Sequence, residues 1–194
     1  MIRKEPVKVL IVSGSEKGYE YLASVLSPPS FEIAFVTSNA GEAKRRIVQE
    51  EYDIAVINAP LKDEFGIDFA SDIAQSTCLG VLMLVKSDLY EQVSEKVEGF
   101  GGLTLPKPTN SSIVYAASRL CAATHIRLTS EEKKNEDLKT KIEEVHLVNR
   151  AKWLLIENLG VSEAEAHRLI EKQAMDLRQS KKDVCIRLIR TYEN

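Results

Sequence analysis

The chain has 194 residues, of which 44% are hydrophobic and 28% charged, with a formal net charge of -3 at pH 7. This balance excludes a disordered chain and suits one ordinary domain with a small appendage. No stretch approaches the length of a membrane span, and MIRKEPVK leads into a strand-like run without an apolar signal region, so a cytoplasmic protein is expected. Cys78, Cys121 and Cys185 are far apart and lie in apolar patterns, which points to buried thiols rather than disulfides or a metal site.

In chain order, strand-length apolar runs at 7–12 (VKVLIV), 31–36 (FEIAFV), 53–57 (DIAVI), 80–85 (GVLMLV) and 102–105 (GLTL) alternate with helical stretches. The runs are nearly continuous, as in parallel strands buried on both faces. Five β-α units imply an α/β fold with a doubly wound five-stranded parallel sheet, whose ligands bind where loops leave the C-terminal strand ends. From Asn110 to Leu159 no proline or glycine appears, so a helix leaving this domain continues with few breaks. Ile113, Ala117, Leu120 and Thr124 mark one seam on it. Leu138, Ile142, Val145, Asn149, Lys152 and Ile156 mark a heptad stripe, with Asn149 placed to fix register. A parallel homodimer is expected; the alternative is one exposed helix resting on its own tail domain, since polar residues 129–137 interrupt the stripe.

The last segment reads as three short helices. The first carries Ala151, Leu154, Leu155 and Leu159 and stops at Gly160. The second starts at a capping box, Ser162 to Glu165, and buries Ala166, Leu169, Ile170, Ala174 and Leu177. The third starts at Ser180, with Asp183 three residues on, and buries Val184, Cys185, Leu188 and Ile189. Domains are therefore expected at 1–128, 129–147 (a coiled-coil linker) and 148–194. Acids outnumber bases by three before residue 129, whereas bases exceed acids by two from 139 onward. Among these bases Lys172, Arg178, Lys181, Lys182, Arg187 and Arg190 gather near the last helix junction and along the last helix, where phosphates would favour them. The alternative is a solvated helix face.

In the tail, A-K-x-x-L at Ala151 to Leu155, G-V-S-x-x-E-A at Gly160 to Ala166, Ala174-Met175 and Asp183-Val184 resemble an ANTAR domain. The resemblance implies an RNA-binding transcription antiterminator that grips paired stem-loops in a leader transcript and so prevents the terminator hairpin. Lys152, Arg168, Lys172, Arg178, Lys181, Lys182, Arg187 and Arg190 are the expected RNA contacts. Trp153 stands where the family usually has glycine, and Gln173 where it often has an aromatic. Trp153 reads as a core anchor, with a base-stacking platform as the alternative.

The strand order with Gly66 and Lys107-Pro108 makes residues 5–128 resemble a flavodoxin-like response-regulator receiver domain. A receiver needs an acidic pair after its first strand for Mg²⁺, a phosphoaccepting Asp after the third, a hydroxyl after the fourth and a lysine after the fifth. Here Ser13 and Gly14 replace the acidic pair, Asn58 the phosphoacceptor and Val85 the hydroxyl, Thr104 stands at the switch aromatic, and only Lys107 remains. An amide has no anionic oxygen to attack a phosphoryl group, and Mg²⁺ wants carboxylates, so a pseudo-receiver is expected. Glu16 falls in the first turn after Ser15, where helix capping explains it. Lys107, Asn58 and the Ser13-Gly14-Ser15 loop form either an anion site or an inert cup in which Lys107 bonds Asn58 or a backbone carbonyl. Lys107-Pro108 also serves as a turn into the next helix.

Two other classes are open. In one, the tail binds duplex DNA as a helix-turn-helix; residues 176–183 are longer than its usual turn, and Arg187 and Arg190 have few amide or hydroxyl companions. In the other, the chain is a dimerising scaffold that docks a protein through its receiver-like face. An enzyme is not expected, because His125, His146 and His167 are scattered and no nucleophile sits beside a base. No cofactor is expected; RNA, a second copy and a regulatory protein are the expected partners.

Overall fold

A computed structural model of the chain describes residues 5–193. They fall into two compact units that divide between residues 130 and 131. The first unit is built from β1 (Val7–Ser13), α1 (Glu16–Val25), β2 (Phe31–Thr37), α2 (Ala40–Gln49), β3 (Ile54–Asn58), α3 (Ile67–Ser76), β4 (Gly80–Lys86), α4 (Tyr90–Glu98) and β5 (Leu103–Lys107). The helix α5 (Ser111–Leu159) starts in this unit and ends in the second, which adds α6 (Glu163–Leu177) and α7 (Lys181–Tyr192).

All four strand pairings are parallel and the sheet order is β2-β1-β3-β4-β5. The nearly continuous apolar runs of β1, β3 and β4 follow from burial on both faces, whereas the edge strands β2 and β5 are partly exposed. One face packs Leu10, Val12, Ala55, Ile57, Val81 and Met83 against α2, α3 and α4. The other packs Val9, Ile11, Val56, Leu82 and Leu84 against Leu22 of α1, Leu26 just after it, and Val114, Ala117 and Cys121 of α5. Burial pushes the Cys121 thiol up to about 12, so it behaves as a small apolar side chain. Cys185 is also buried, Cys78 is half-buried, and all three are free thiols.

The first α5 seam differs from expectation. Val114, Ala117, Ser118, Cys121 and Ala122 are buried, while Ile113 and Leu120 face solvent and Thr124 is half-buried. Further along the helix His125 clamps α5 to the sheet, with Nδ1 2.8 Å from the Cys78 carbonyl and Nε2 3.2 Å from Oδ1 of buried Asp53. Both neighbours are acceptors, so the ring bonds both only when both nitrogens carry hydrogen. Polar residues 129–137 do not break α5, because Glu and Lys are good helix formers even where nothing packs against them.

The second unit has its own core of Ala151, Leu155, Ala166, Ile170, Ala174, Val184, Cys185 and Leu188. Leu154 and Leu169 are half-buried, Ile189 packs against the rim, and Leu159 and Leu177 face solvent rather than the core. Gly160 ends α5 at φ +66, a conformation that costs a side-chain-bearing residue energy and glycine little. Ser162 and Glu165 close the capping box reciprocally, and Ser180 accepts from the Asp183 amide to start α7. Trp153 is 71% exposed and is not a core residue. Among the described residues no helix is long and apolar enough to cross a membrane, and no cluster of metal-ligating side chains occurs.

Candidate nucleic-acid interface and the receiver edge

The eight bases expected to meet RNA divide into two groups. Lys152 is largely buried against α6, with Nζ 2.7 Å from Glu163, and Lys181 lies 2.6 Å from Glu171. Both carboxyls are held below the usual range by these lysines. Arg187 donates to the side-chain oxygens of Gln179 at 3.4 Å and Gln173 at 3.3 Å. In contrast, Arg168, Lys172, Arg178, Lys182 and Arg190 form no salt bridge among the described residues, and all but half-buried Lys182 are exposed. Glu163, Glu171, Gln173 and Gln179 were not anticipated as partners; their placement depends on the helix pairing rather than on any spacing along the chain.

The turn between α6 and α7 carries the unit's sharpest backbone feature. Arg178 sits at φ +51, ψ +40, the one non-glycine residue with positive φ among those described. Its amide donates to the Met175 carbonyl and the Gln179 amide to the Ala174 carbonyl, the two bonds of a Schellman cap. Glycine or asparagine is the usual occupant; a long basic side chain there is costly and aims an unpaired guanidinium from the turn. Only residues 178–180 separate the helices, which removes turn length as an objection to a helix-turn-helix.

The other candidate site is the C-terminal end of the sheet. Asn58 ends β3, Ser13 ends β1 and Lys107 ends β5. The Asn58 Nδ2 donates to Ser13 Oγ at 2.9 Å, and Ser13 Oγ donates to the Ser15 carbonyl at 2.8 Å. Lys107 Nζ donates to Asn58 Oδ1 at 2.7 Å and to the Ala59 carbonyl at 2.5 Å. Desolvation, then the charge of Lys86, lowers the Lys107 pKa, the direction expected of an ammonium without a carboxylate partner.

The helix α1 leans onto this network. A Cβ on Gly18 would lie 1.9 Å from Asn58 Nδ2, so only glycine permits the approach. Gly14 lies in the β1-α1 loop, and Val85 is fully buried in the sheet core. The nearest hydroxyl beyond β4 belongs instead to Ser87, which donates to the Lys107 carbonyl at 2.7 Å. Thr104 is buried with its hydroxyl unpartnered among the described residues.

The heptad stripe expected to pair two copies is shorter than its spacing suggests. Leu138, Ile142 and Val145 are 55%, 56% and 58% exposed on α5, and Asn149 is exposed. Ile156 packs instead against the tail core, and Lys152 is engaged with Glu163.

The chain is similar to response-regulator-type proteins, with a receiver-like fold in its first unit and an ANTAR match in its tail. Residues 136–189 match the ANTAR domain family, whose members are regulatory RNA-binding proteins of transcription antitermination. The chain is 27% identical over 179 residues to the transcriptional regulatory protein PdtaR of Mycobacterium tuberculosis, covering 92% of this chain and 87% of that protein. The first unit has the fold of a signal receiver domain of an HD domain-containing protein from Pseudomonas fluorescens (TM-score 0.58, 20% identity, 67% of this chain and 96% of that one). It is also similar to a CheY-like response regulator receiver domain protein from Methanospirillum hungatei (TM-score 0.55, 17% identity, 63% of this chain and 98% of that one).

Proposed function

We propose that the chain is a homodimeric RNA-binding antiterminator whose two tail units engage paired stem-loops in a leader transcript and prevent a terminator hairpin from forming. The observation that carries this reading is the ANTAR match at 136–189, laid over bases without carboxylate partners at the α6-α7 turn. Arg168, Lys172, Arg178, Lys182 and Arg190 supply the phosphate contacts. Lys152, Lys181 and Arg187 hold the helices in place, and Lys181 and Arg187 stay exposed enough to join the surface. Trp153, the sole tryptophan and solvent-exposed, offers a flat ring on which a loop base can stack. Leu138, Ile142, Val145 and Asn149 pair with a second copy, and the linked tails gain by effective concentration.

The first unit acts in this scheme as a pseudo-receiver. Asn58 is neutral and hydrogen-bonded at both ends of its amide, and Ser13 and Gly14 bring no carboxylate for Mg²⁺. Its role is regulation or protein docking rather than phosphoryl transfer.

Binding of the full chain to single-hairpin RNA, double-hairpin RNA and duplex DNA at several salt concentrations tests the reading. Tight, salt-sensitive binding to two hairpins is expected, and the R178A/K182A double variant should flatten the salt slope by roughly 0.7 to 0.9 for each phosphate contact removed. Preference for duplex DNA would instead make α7 a recognition helix, a reading that the three-residue turn keeps in play.

A further inference from the structure

Lys107 is half-buried and has no ion-pair partner among the described residues. An ammonium carries three N–H groups, and two are committed to Asn58 Oδ1 and the Ala59 carbonyl. Beside it lies a pocket of about 260 Å³, walled by Tyr21, Leu22, Leu84 and Pro108 and reaching Asn58 and Lys107. Among the described residues Lys107 is the one charged member of that wall. The other polar groups are largely occupied, since the Asn58 amide bonds Ser13 and Lys107, and the Tyr21 hydroxyl donates to the Thr109 carbonyl at 3.1 Å. Lys86, paired with Lys107 across the β4-β5 ladder, adds positive charge nearby without entering the wall.

We infer that this pocket binds a small organic monocarboxylate, with one carboxylate oxygen on Lys107 Nζ and an apolar body against Leu22, Leu84 and Pro108. A carboxylate neutralises the unpaired ammonium and takes its remaining donor. An apolar body replaces water along walls that offer it few hydrogen bonds. Inorganic phosphate fits poorly, because a single N–H and an apolar wall cannot replace the hydration of its several oxygens. The inference is independent of RNA binding and stands or falls on the first unit alone.

The test uses the full chain with ¹³C-labelled leucine methyls and titrates benzoate, its neutral isostere benzamide, and inorganic phosphate. Benzoate should shift the Leu22 and Leu84 methyls saturably, and benzamide should bind at least about tenfold more weakly, the loss expected of one charge-assisted hydrogen bond. Phosphate should leave these methyls unmoved. The K107M variant should lose the preference for benzoate while K107R, which keeps the charge, retains it; an unchanged thermal midpoint shows that K107M is folded. If benzamide matches benzoate, if phosphate moves the same methyls, or if benzoate gives no saturable shift, the assignment is overturned.

Discussion

Lys107 Nζ and Asn58 Oδ1 lie 2.7 Å apart, and the bond joins the ends of β5 and β3 at the edge where a receiver would hold its phosphoryl group. The amide that accepts from Lys107 also donates to Ser13, and it offers no anionic oxygen to attack a phosphoryl group. Incubation with acetyl phosphate and Mg²⁺ should add no phosphoryl group by intact mass. The N58D variant should also stay unmodified, because Ser13 and Gly14 still supply no carboxylate for the metal. A phosphoryl adduct on the unaltered chain would sink the pseudo-receiver reading.

Much of this edge is legible along the chain, because β1, β3 and β5 are apolar runs whose last residues are Ser13, Asn58 and Lys107. The Gly18 approach is not, since it depends on how closely α1 lies to Asn58 across the fold. Trp153 misleads for a different reason: its size suggests burial, but two helical steps of roughly 100° place it on the side opposite Ala151 and Leu155. Lys152 and Lys181 read as solvent bases until the helix pairing sets Glu163 and Glu171 beside them.

Asp63 caps a helix that begins more than twenty residues before it. Its carboxylate accepts from the amides of Ala40 at 2.9 Å and Gly41 at 3.0 Å, while the local cap residue Asn39 makes no side-chain cap bond. These amides hold the Asp63 carboxyl below the usual range. A lowered folded pKa gives stabilisation that is present above the unfolded value of about 3.9 and lost as pH falls through the folded value. The D63A variant should lose about 0.5 kcal/mol at neutral pH, the low end for a cap because the group is solvent-exposed. Urea midpoints of the two proteins should converge in acid; a constant gap would mean that the carboxylate charge contributes nothing.

Arg178 separates stability from function. Replacing it with glycine relieves the left-handed backbone and should stabilise the tail by about 1 kcal/mol. The same change removes an unpaired guanidinium from the α6-α7 turn and should weaken hairpin RNA binding and lower its salt slope. Unfolding followed by Trp153 fluorescence reads the first effect, and titration with RNA reads the second. A variant that is both more stable and undiminished in RNA affinity would remove Arg178 from the interface.

Ile142 tests the second copy. It lies on α5 between Leu138 and Val145, all three more exposed than buried, which is costly for a stripe with no partner. The stripe extends backward to exposed Leu128 and Asn135 in the same heptad frame, with Asn135, Ile142 and Asn149 seven residues apart. Repeated asparagines in the row that carries Leu128 and Ile142 favour a defined register at some cost in affinity, so a weak, specific pair of helices is the expected assembly. The I142E variant keeps a good helix former while placing like charges face to face across the seam. Sedimentation should show the unaltered chain as a concentration-dependent dimer and I142E as a monomer. Affinity for a double hairpin should then fall toward that for a single hairpin, because the second contact is no longer intramolecular. A dimer that survives I142E would move the interface off this stripe, whereas a monomer that still prefers two hairpins would show that one tail unit spans both.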